Sequence, residues 1–211
     1  MNTLGKIFDK KAIAVIRSKH EFEALKFIET IIEGGISCIE ITMTTPNALA
    51  IIQDMHKEFG NSIVLGAGTI LSVEEAKKTI DAGANFIVTP ISDFNLIEYV
   101  KQQNIVVMAG AFSPTEIYNC HVAGADIVKV FPANSVGVPY FKSLRGPFPN
   151  IPMMPTGGVT IENAKEWIQA GANAIGIGST LFNDKIVIER DLPKLKFNAE
   201  KITESLKNIN Y

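Results

Sequence analysis

The sequence predicts an α/β fold, a parallel sheet closed into a (β/α)8 TIM barrel, in one domain spanning residues 1–211. Three observations predict it. One unit recurs: an amphipathic segment ends in a small-residue turn and leads into a short apolar run, in "IIEGGISCIEIT", "TIDAGANFIVTP", "HVAGADIVKVFP" and "IQAGANAIGIGS". The units lie about 40 to 50 residues apart, the length of two β-α steps. Filling the intervals gives about eight apolar runs alternating with helical patterns, a count that suits a closed barrel. No run leads into the GxGxxG of a doubly wound dinucleotide fold.

In order, the strands are "AIAVIR" (Ala12–Arg17), the run within "SCIEIT", "IVLGAGT" (Ile63–Thr69), "FIVTP", "IVVMAG" (Ile105–Gly110), "DIVKVFP", "IPMMPTGG" (Ile151–Gly158) and "AIGIGS". Runs apolar on both sides belong to strands covered on both faces, as in a barrel ringed by helices. The helical patterns "SVEEAKKTIDAG" and "TIENAKEWIQAG" open on a Ser or Thr suited to N-capping, with Glu two or three residues on. Gly34, Gly83, Gly124 and Gly171 each follow a helical pattern, where a terminal glycine takes a positive φ at little cost.

Composition narrows the function classes. Hydrophobic residues at 46% and charged residues at 20% describe a globular chain, and a net charge of −2 gives no reason to expect nucleic acid or an anionic membrane as partner. No segment approaches the ~18 consecutive apolar residues of a membrane span. "MNTLGKIFDKK" lacks the apolar centre of a signal peptide. Cys38 and Cys120 have no CxxC spacing, so neither a disulfide framework nor a zinc site is expected, and the expected compartment is a reducing cytoplasm. His20, His56 and His121 read as residues of helical segments away from strand ends; no metal cofactor is expected.

Functional groups of a barrel gather at the C-terminal ends of its strands. Those ends carry Arg17, Glu40 with Thr42, Thr69, Thr89 with Pro90, Lys129, Thr156 with Gly157 and Gly158, and Gly178 with Ser179. Lys129 is the anomaly, a cation inside an apolar strand, where an ammonium is costly unless paired. It is either a structural charge neutralised by a buried carboxylate or an amine whose pKa is depressed by burial, a nucleophile towards a ketone. Glu40, inside another apolar strand, is either its structural partner or a general acid/base that exchanges protons with it.

The glycine pairs after the seventh and eighth strands suggest phosphate. Gly157 and Gly158, at the mouth of a helical segment, and Gly178 with Ser179 let backbone N–H groups approach an anion; the alternative is that they only make tight turns. Arg17 can grip a carboxylate with two hydrogen bonds, and the Thr69 hydroxyl can donate to the same group. Gly66 and Gly68 would let a ligand come close to the third strand.

"GGISCIEITMTTP", "VLGAGTIL", "FIVTP", "DIVKVFPANSVG", "GPFPNIPMMPTGGV" and "GIGSTLF", spread from about residue 12 to residue 182, resemble the class I 2-keto-3-deoxy-6-phosphogluconate (KDPG) aldolases and the related 4-hydroxy-2-oxoglutarate (KHG) and 2-dehydro-3-deoxy-6-phosphogalactonate aldolases. The resemblance implies that Lys129 is the Schiff-base lysine and Glu40 the general acid/base, without metal or other cofactor. It implies that Thr69 contacts the pyruvyl carboxylate, that Pro90 and Phe131 line the pocket, and that Gly157, Gly158, Gly178 and Ser179 hold the phosphate. Small-molecule partners, pyruvate and a phosphorylated 2-keto-3-deoxy sugar acid, follow, as does a homotrimer. Two segments depart from the family pattern. Thr44 stands where many members carry an arginine, so Arg17 is expected to supply that charge, and "AGAFSP" brings Ala109 and Phe112 into a loop of different shape. Two other readings share the phosphate signals: a barrel isomerase or epimerase, and a non-catalytic sugar-phosphate binding protein.

Overall fold

The computed structural model describes residues 1–207 and 209; residues 208, 210 and 211 of the predicted 1–211 domain lie outside the described residues. Its eight strands are β1 (Ala12–Ile16), β2 (Cys38–Thr42), β3 (Val64–Gly68), β4 (Phe86–Val88), β5 (Val106–Ala111), β6 (Ile127–Val130), β7 (Met153–Pro155) and β8 (Ile175–Ile177). They form one parallel sheet in the order β7-β6-β5-β4-β3-β2-β1-β8. The seam between β7 and β8 is closed by a single parallel bridge, Thr156 to Gly176, and by the Asn173 amide donating to the Met153 carbonyl at 2.9 Å. This is the (β/α)8 barrel that the repeating pattern predicts.

Around it lie α2 (Ala24–Glu33), α3 (Ala48–Phe59), α4 (Val73–Asp81), α5 (Phe94–Gln102), α6 (Pro114–Val122), α7 (Gly137–Leu144), α8 (Ala164–Gln169), α9 (Asp184–Glu189) and α10 (Leu192–Leu206). A short α1 (Thr3–Lys10) precedes β1 and closes the N-terminal end of the barrel. Two apolar cores result. The larger lies between strands and helices; the smaller is the barrel interior, where Ile7 of α1 meets Ile13, Cys38, Val64, Phe86, Met108, Ile127 and Met154. Side chains alternate along a strand, so the residues two places above Cys38 and Ile127 also point inward, towards the C-terminal mouth. They are Glu40 and Lys129.

The recurrent unit has a hydrogen-bonding basis. Asn85, Asp126 and Asn173, two residues after the glycines at 83, 124 and 171, each accept on the side chain from the first residues of the preceding odd strand (Leu65, Val107 and Met153). Each returns its own amide to the carbonyl of that same residue. In the first unit Ser37 occupies the equivalent position and its carbonyl accepts from Val64.

That alignment corrects one expectation. Gly34 has φ −74°, while Gly35 takes the positive φ of 97° that matches 108° at Gly83, 100° at Gly124 and 101° at Gly171. Gly34 is small for another reason: a Cβ there would collide with the Ala199 side chain, so it lets α2 pack closely on α10. Ser72 caps α4 as expected, accepting from the Glu75 amide. The helix expected to open on Thr160 begins instead at Ala164, because Thr160 and Asn163 bond each other's amides in a preceding turn. His20 lies in a bend between β1 and α2, not in a helix; its amide donates to Ser18 Oγ.

Candidate active site

Lys129 sits third in β6, flanked in register by Gly110 of β5 and Met154 of β7; Glu40 sits mid-β2 between Val15 and Gly66. Neither strand spares its ionisable residue from burial. Lys129 is 4% exposed and Glu40 wholly buried. Burial lowers the Lys129 pKa, with the Arg17 charge pushing the same way and Glu40 opposing. Burial raises the Glu40 pKa, with Lys129 and then Arg17 opposing. Neither carboxylate oxygen of Glu40 has a hydrogen-bond partner. Among the described residues no ion pair within 4.0 Å includes Glu40 or Lys129. The two feel each other's charge without a salt bridge.

The interior is carved to admit the carboxylate. A Cβ on Gly68 would overlap Glu40 Oε1, and one on Gly66 would overlap the Phe86 ring. These glycines therefore make room for the protein's own groups, not for a ligand approaching β3.

A cavity of about 330 Å³ opens at the C-terminal mouth. Its wall includes Arg17, Lys129, Gly157, Gly158, Gly178 and Ser179, six of the residues singled out from strand ends, and Phe131, which the family resemblance adds. The Lys129 ammonium lies 5.0 Å from the centre of the Phe131 ring. Glu40 stands behind this wall. Thr69 meets it through Arg17, whose guanidinium donates to Thr69 Oγ1 at 3.0 Å. Thr69 adopts a left-handed φ of 61°, uncommon for a β-branched residue and a mark of a locally imposed conformation. Pro90 is not part of the cavity wall; its carbonyl lies so close to Gly110 that a Cβ there would collide with it. Phe112, 41% exposed, is also outside the wall, held by the Tyr140 hydroxyl donating to its carbonyl at 2.7 Å.

Gly157 and Gly158 have φ of 88° and 77°, a pair of left-handed residues that turns the chain sharply out of β7. Among the described residues, the amides of Gly158 and Ser179 donate to no protein acceptor, while that of Gly157 faces the Gly176 carbonyl across the bridge that closes the seam. Such free donors on a cavity wall suit an anion. The expected helix mouth is absent there, since α8 begins only at Ala164; what Gly158 offers is a backbone N–H, not a helix end.

The wall also contains Ser18, Lys19, Thr156, Asn183 and Asp184. Thr156 lay among the strand ends, and its buried Oγ1 has no partner. Ser18 and Lys19 directly follow Arg17, and that adjacency could have found them. Nothing in the local pattern marks Asn183 or Asp184, which reach the cavity from the start of α9. Among the described residues no group of three or more His, Cys, Asp or Glu converges as a metal site. The ensemble joins an amine of depressed pKa, a carboxylate of raised pKa, an arginine at the rim and free amides opposite. That set can form an imine with a ketone while holding an anionic chain at both ends.

Comparison with known proteins finds aldolases. The family model described as KDPG and KHG aldolase matches residues 5–197. The 2-dehydro-3-deoxy-6-phosphogalactonate aldolase of Escherichia coli is 32% identical over 84% of this chain and 87% of its own. The 2-dehydro-3-deoxy-phosphogluconate aldolase of Pseudomonas aeruginosa is 31% identical over 86% of this chain and 82% of its own. Among solved structures, KDPG aldolase from Legionella pneumophila, with pyruvate captured as a covalent carbinolamine intermediate, superposes with a TM-score of 0.87 at 26% identity, covering 94% of this chain and 97% of that one.

Proposed function

We propose, since the chain belongs to the KDPG and KHG aldolase family, that it is a Schiff-base aldolase reversibly cleaving 2-keto-3-deoxy-6-phosphogluconate to pyruvate and D-glyceraldehyde 3-phosphate. The single observation that carries the mechanism is Lys129, an amine of lowered pKa on the cavity wall, with the partnerless Glu40 carboxylate behind it. The neutral amine attacks the C2 ketone, and Glu40 moves protons as the carbinolamine loses water. The resulting iminium accepts the electron pair of the C3–C4 bond as Glu40 takes the proton of the C4 hydroxyl, so that carbon leaves as an aldehyde and the pyruvyl fragment remains as an enamine. Protonation of the enamine carbon and hydrolysis release pyruvate and restore Lys129. Here the protonated imine is the electrophile, a role that metal ions fill in other aldolases, and the reading calls for no cofactor. Arg17 with Thr69 binds the carboxylate; Gly157, Gly158, Gly178 and Ser179 bind the phosphate. The same site would take 4-hydroxy-2-oxoglutarate, giving pyruvate and glyoxylate.

A second reading has its own support. Thr44 in place of the family's arginine, with Arg17 instead at the cavity rim, favours the galactonate-configured substrate. The family reading extends to a homotrimer in a reducing cytoplasm. Among the described residues no helix is long and apolar enough to cross a membrane, and both cysteines are free and buried.

Pyruvate release from the gluconate- and galactonate-configured substrates tests the assignment. A higher kcat/KM on the gluconate form is expected. The reverse order would transfer the assignment to the second reading, and no release from either would contradict both.

A further inference from the structure

Arg17 leaves β1 at the exposed rim of the cavity, where a strand-end arginine is ordinarily free to turn. Here its backbone is clamped. The Thr45 hydroxyl, 4% exposed, donates to the Ile16 carbonyl at 3.3 Å and accepts from the Ser18 amide at 3.4 Å. Those groups belong to the two peptide planes on either side of the Arg17 Cα. One hydroxyl thus ties both planes, and with them the direction in which the arginine side chain departs.

Neighbouring groups hold the clamp. Fully buried Thr42 donates to the same Ile16 carbonyl at 3.1 Å and lies 3.2 Å from Thr45 Oγ1 and 3.1 Å from Thr44 Oγ1. Thr45 precedes Pro46, which restricts its backbone to extended conformations, and its amide donates to the Thr42 carbonyl at 2.9 Å. Beyond Arg17 the chain stays tied: the Lys19 amide donates to Asp184 Oδ1 at 3.5 Å, and the His20 amide to Ser18 Oγ at 2.9 Å. Buried hydroxyls cost free energy unless bonded. With the Thr42 and Thr45 hydroxyl hydrogens both directed at the Ile16 carbonyl, the bonds that satisfy Thr45 Oγ1 run to the backbone on either side of Arg17.

We propose that Thr45 is a positioning residue for Arg17. It aims the guanidinium, together with Thr69, at the place where a 2-keto acid carboxylate docks beside Lys129, and so sets affinity for the keto acid without joining the bond-breaking steps. The proposal rests on the aldolase reading and on Arg17 as the carboxylate-binding group.

The test is exchange of the pyruvate methyl protons in D2O, followed by NMR across pyruvate concentrations. Thr45→Val, which loses both clamp bonds, should raise KM for pyruvate about 5- to 10-fold, with kcat changed less than about twofold. Thr45→Ser should restore KM, because the hydroxyl returns. In an Arg17→Ala background Thr45→Val should add nothing. Thr45→Ala takes the place of the valine variant if that chain fails to fold. An unchanged KM in a folded Thr45→Val or Thr45→Ala protein overturns the proposal, as does an equal effect of Thr45→Val with and without Arg17, or a fall in kcat alone. Failure of the underlying reading looks different: wild-type protein would then show no exchange at all. Exchange in the wild type with an unchanged KM in Arg17→Ala would remove the Arg17 assignment, and the proposal with it, while leaving the lysine chemistry standing.

Discussion

The Glu40 carboxylate occupies the space left by the missing side chain of Gly68: a Cβ on Gly68 would overlap Oε1 and press on the carboxyl carbon and Cγ. Gly68 has no left-handed φ, so alanine meets no backbone objection there, only this collision. Gly68→Ala is therefore a way to displace Glu40 without altering its chemistry. Overpacking of this kind costs about 1–3 kcal/mol. Loss of a positioned acid/base is expected to lower kcat for pyruvate release by roughly 100-fold or more. Urea unfolding and steady-state kinetics measure the two effects; a stable variant with wild-type kcat would mean that the position of Glu40 does not matter.

Glu40 also predicts a pH dependence of stability. Its folded-state pKa is raised by burial, against the charges of Lys129 and Arg17, so the folded protein keeps this proton at pH values where the unfolded chain, ionising near the ordinary carboxylate value of 4.5, has lost it. Over that interval the folded state binds more protons, and stability falls as pH rises. The contribution is fully present below the unfolded pKa and is lost through the folded one. Glu40→Gln removes it. The urea midpoint of the wild type minus that of Glu40→Gln should decline as pH is raised from 4.5 towards neutrality; a flat difference would mean the carboxyl is not perturbed. The same variant should slow proton exchange at the pyruvate methyl.

Arg145 offers a contrast far from the chemistry. Its guanidinium donates to the carbonyls of Phe148 (3.2 Å), Ile151 (2.6 Å) and Gly171 (2.5 Å) and to Asn173 Oδ1 (3.0 Å), and it lies 5.7 Å from the Phe141 ring centre. Asn173 in turn accepts from the Met153 amide at the start of β7, so the arginine braces the β7–β8 seam. Arg145→Met leaves several carbonyls without this donor and should cost about 3 kcal/mol, within the range for charged hydrogen-bonded groups. KM and kcat of the protein that remains folded should be unchanged. A variant as stable as the wild type would show the seam to be held by other means.

What could be read from the sequence follows from which signals are local. Lys129 and Glu40 stood out because a charge inside an apolar strand is visible in any five-residue window, and the alternation of a strand then points both into the barrel. The eightfold count was legible because the glycine-small-Asx unit repeats. Gly34 and Gly35 look alike in the sequence, and the first unit carries Ser37 where the other units have the Asx residue that marks the register. Gly66 and Gly68 announced room but not its occupant, since what fills it comes from β2 and β4. Pro90 and Asp184 mark the other limit: a residue at a strand end can pack sideways against a neighbouring strand, and one from the start of a later helix can reach the cavity, with no local pattern to tell.

The chemistry hangs on Lys129, and one measurement addresses it directly. The protein is incubated with pyruvate, reduced with borohydride, digested, and its peptides weighed. A reduced pyruvyl adduct on the peptide carrying Lys129, absent from Lys129→Ala, is the expected result. An unmodified Lys129 in protein shown to bind pyruvate would contradict the Schiff-base mechanism and leave the lysine a buried charge that only binds.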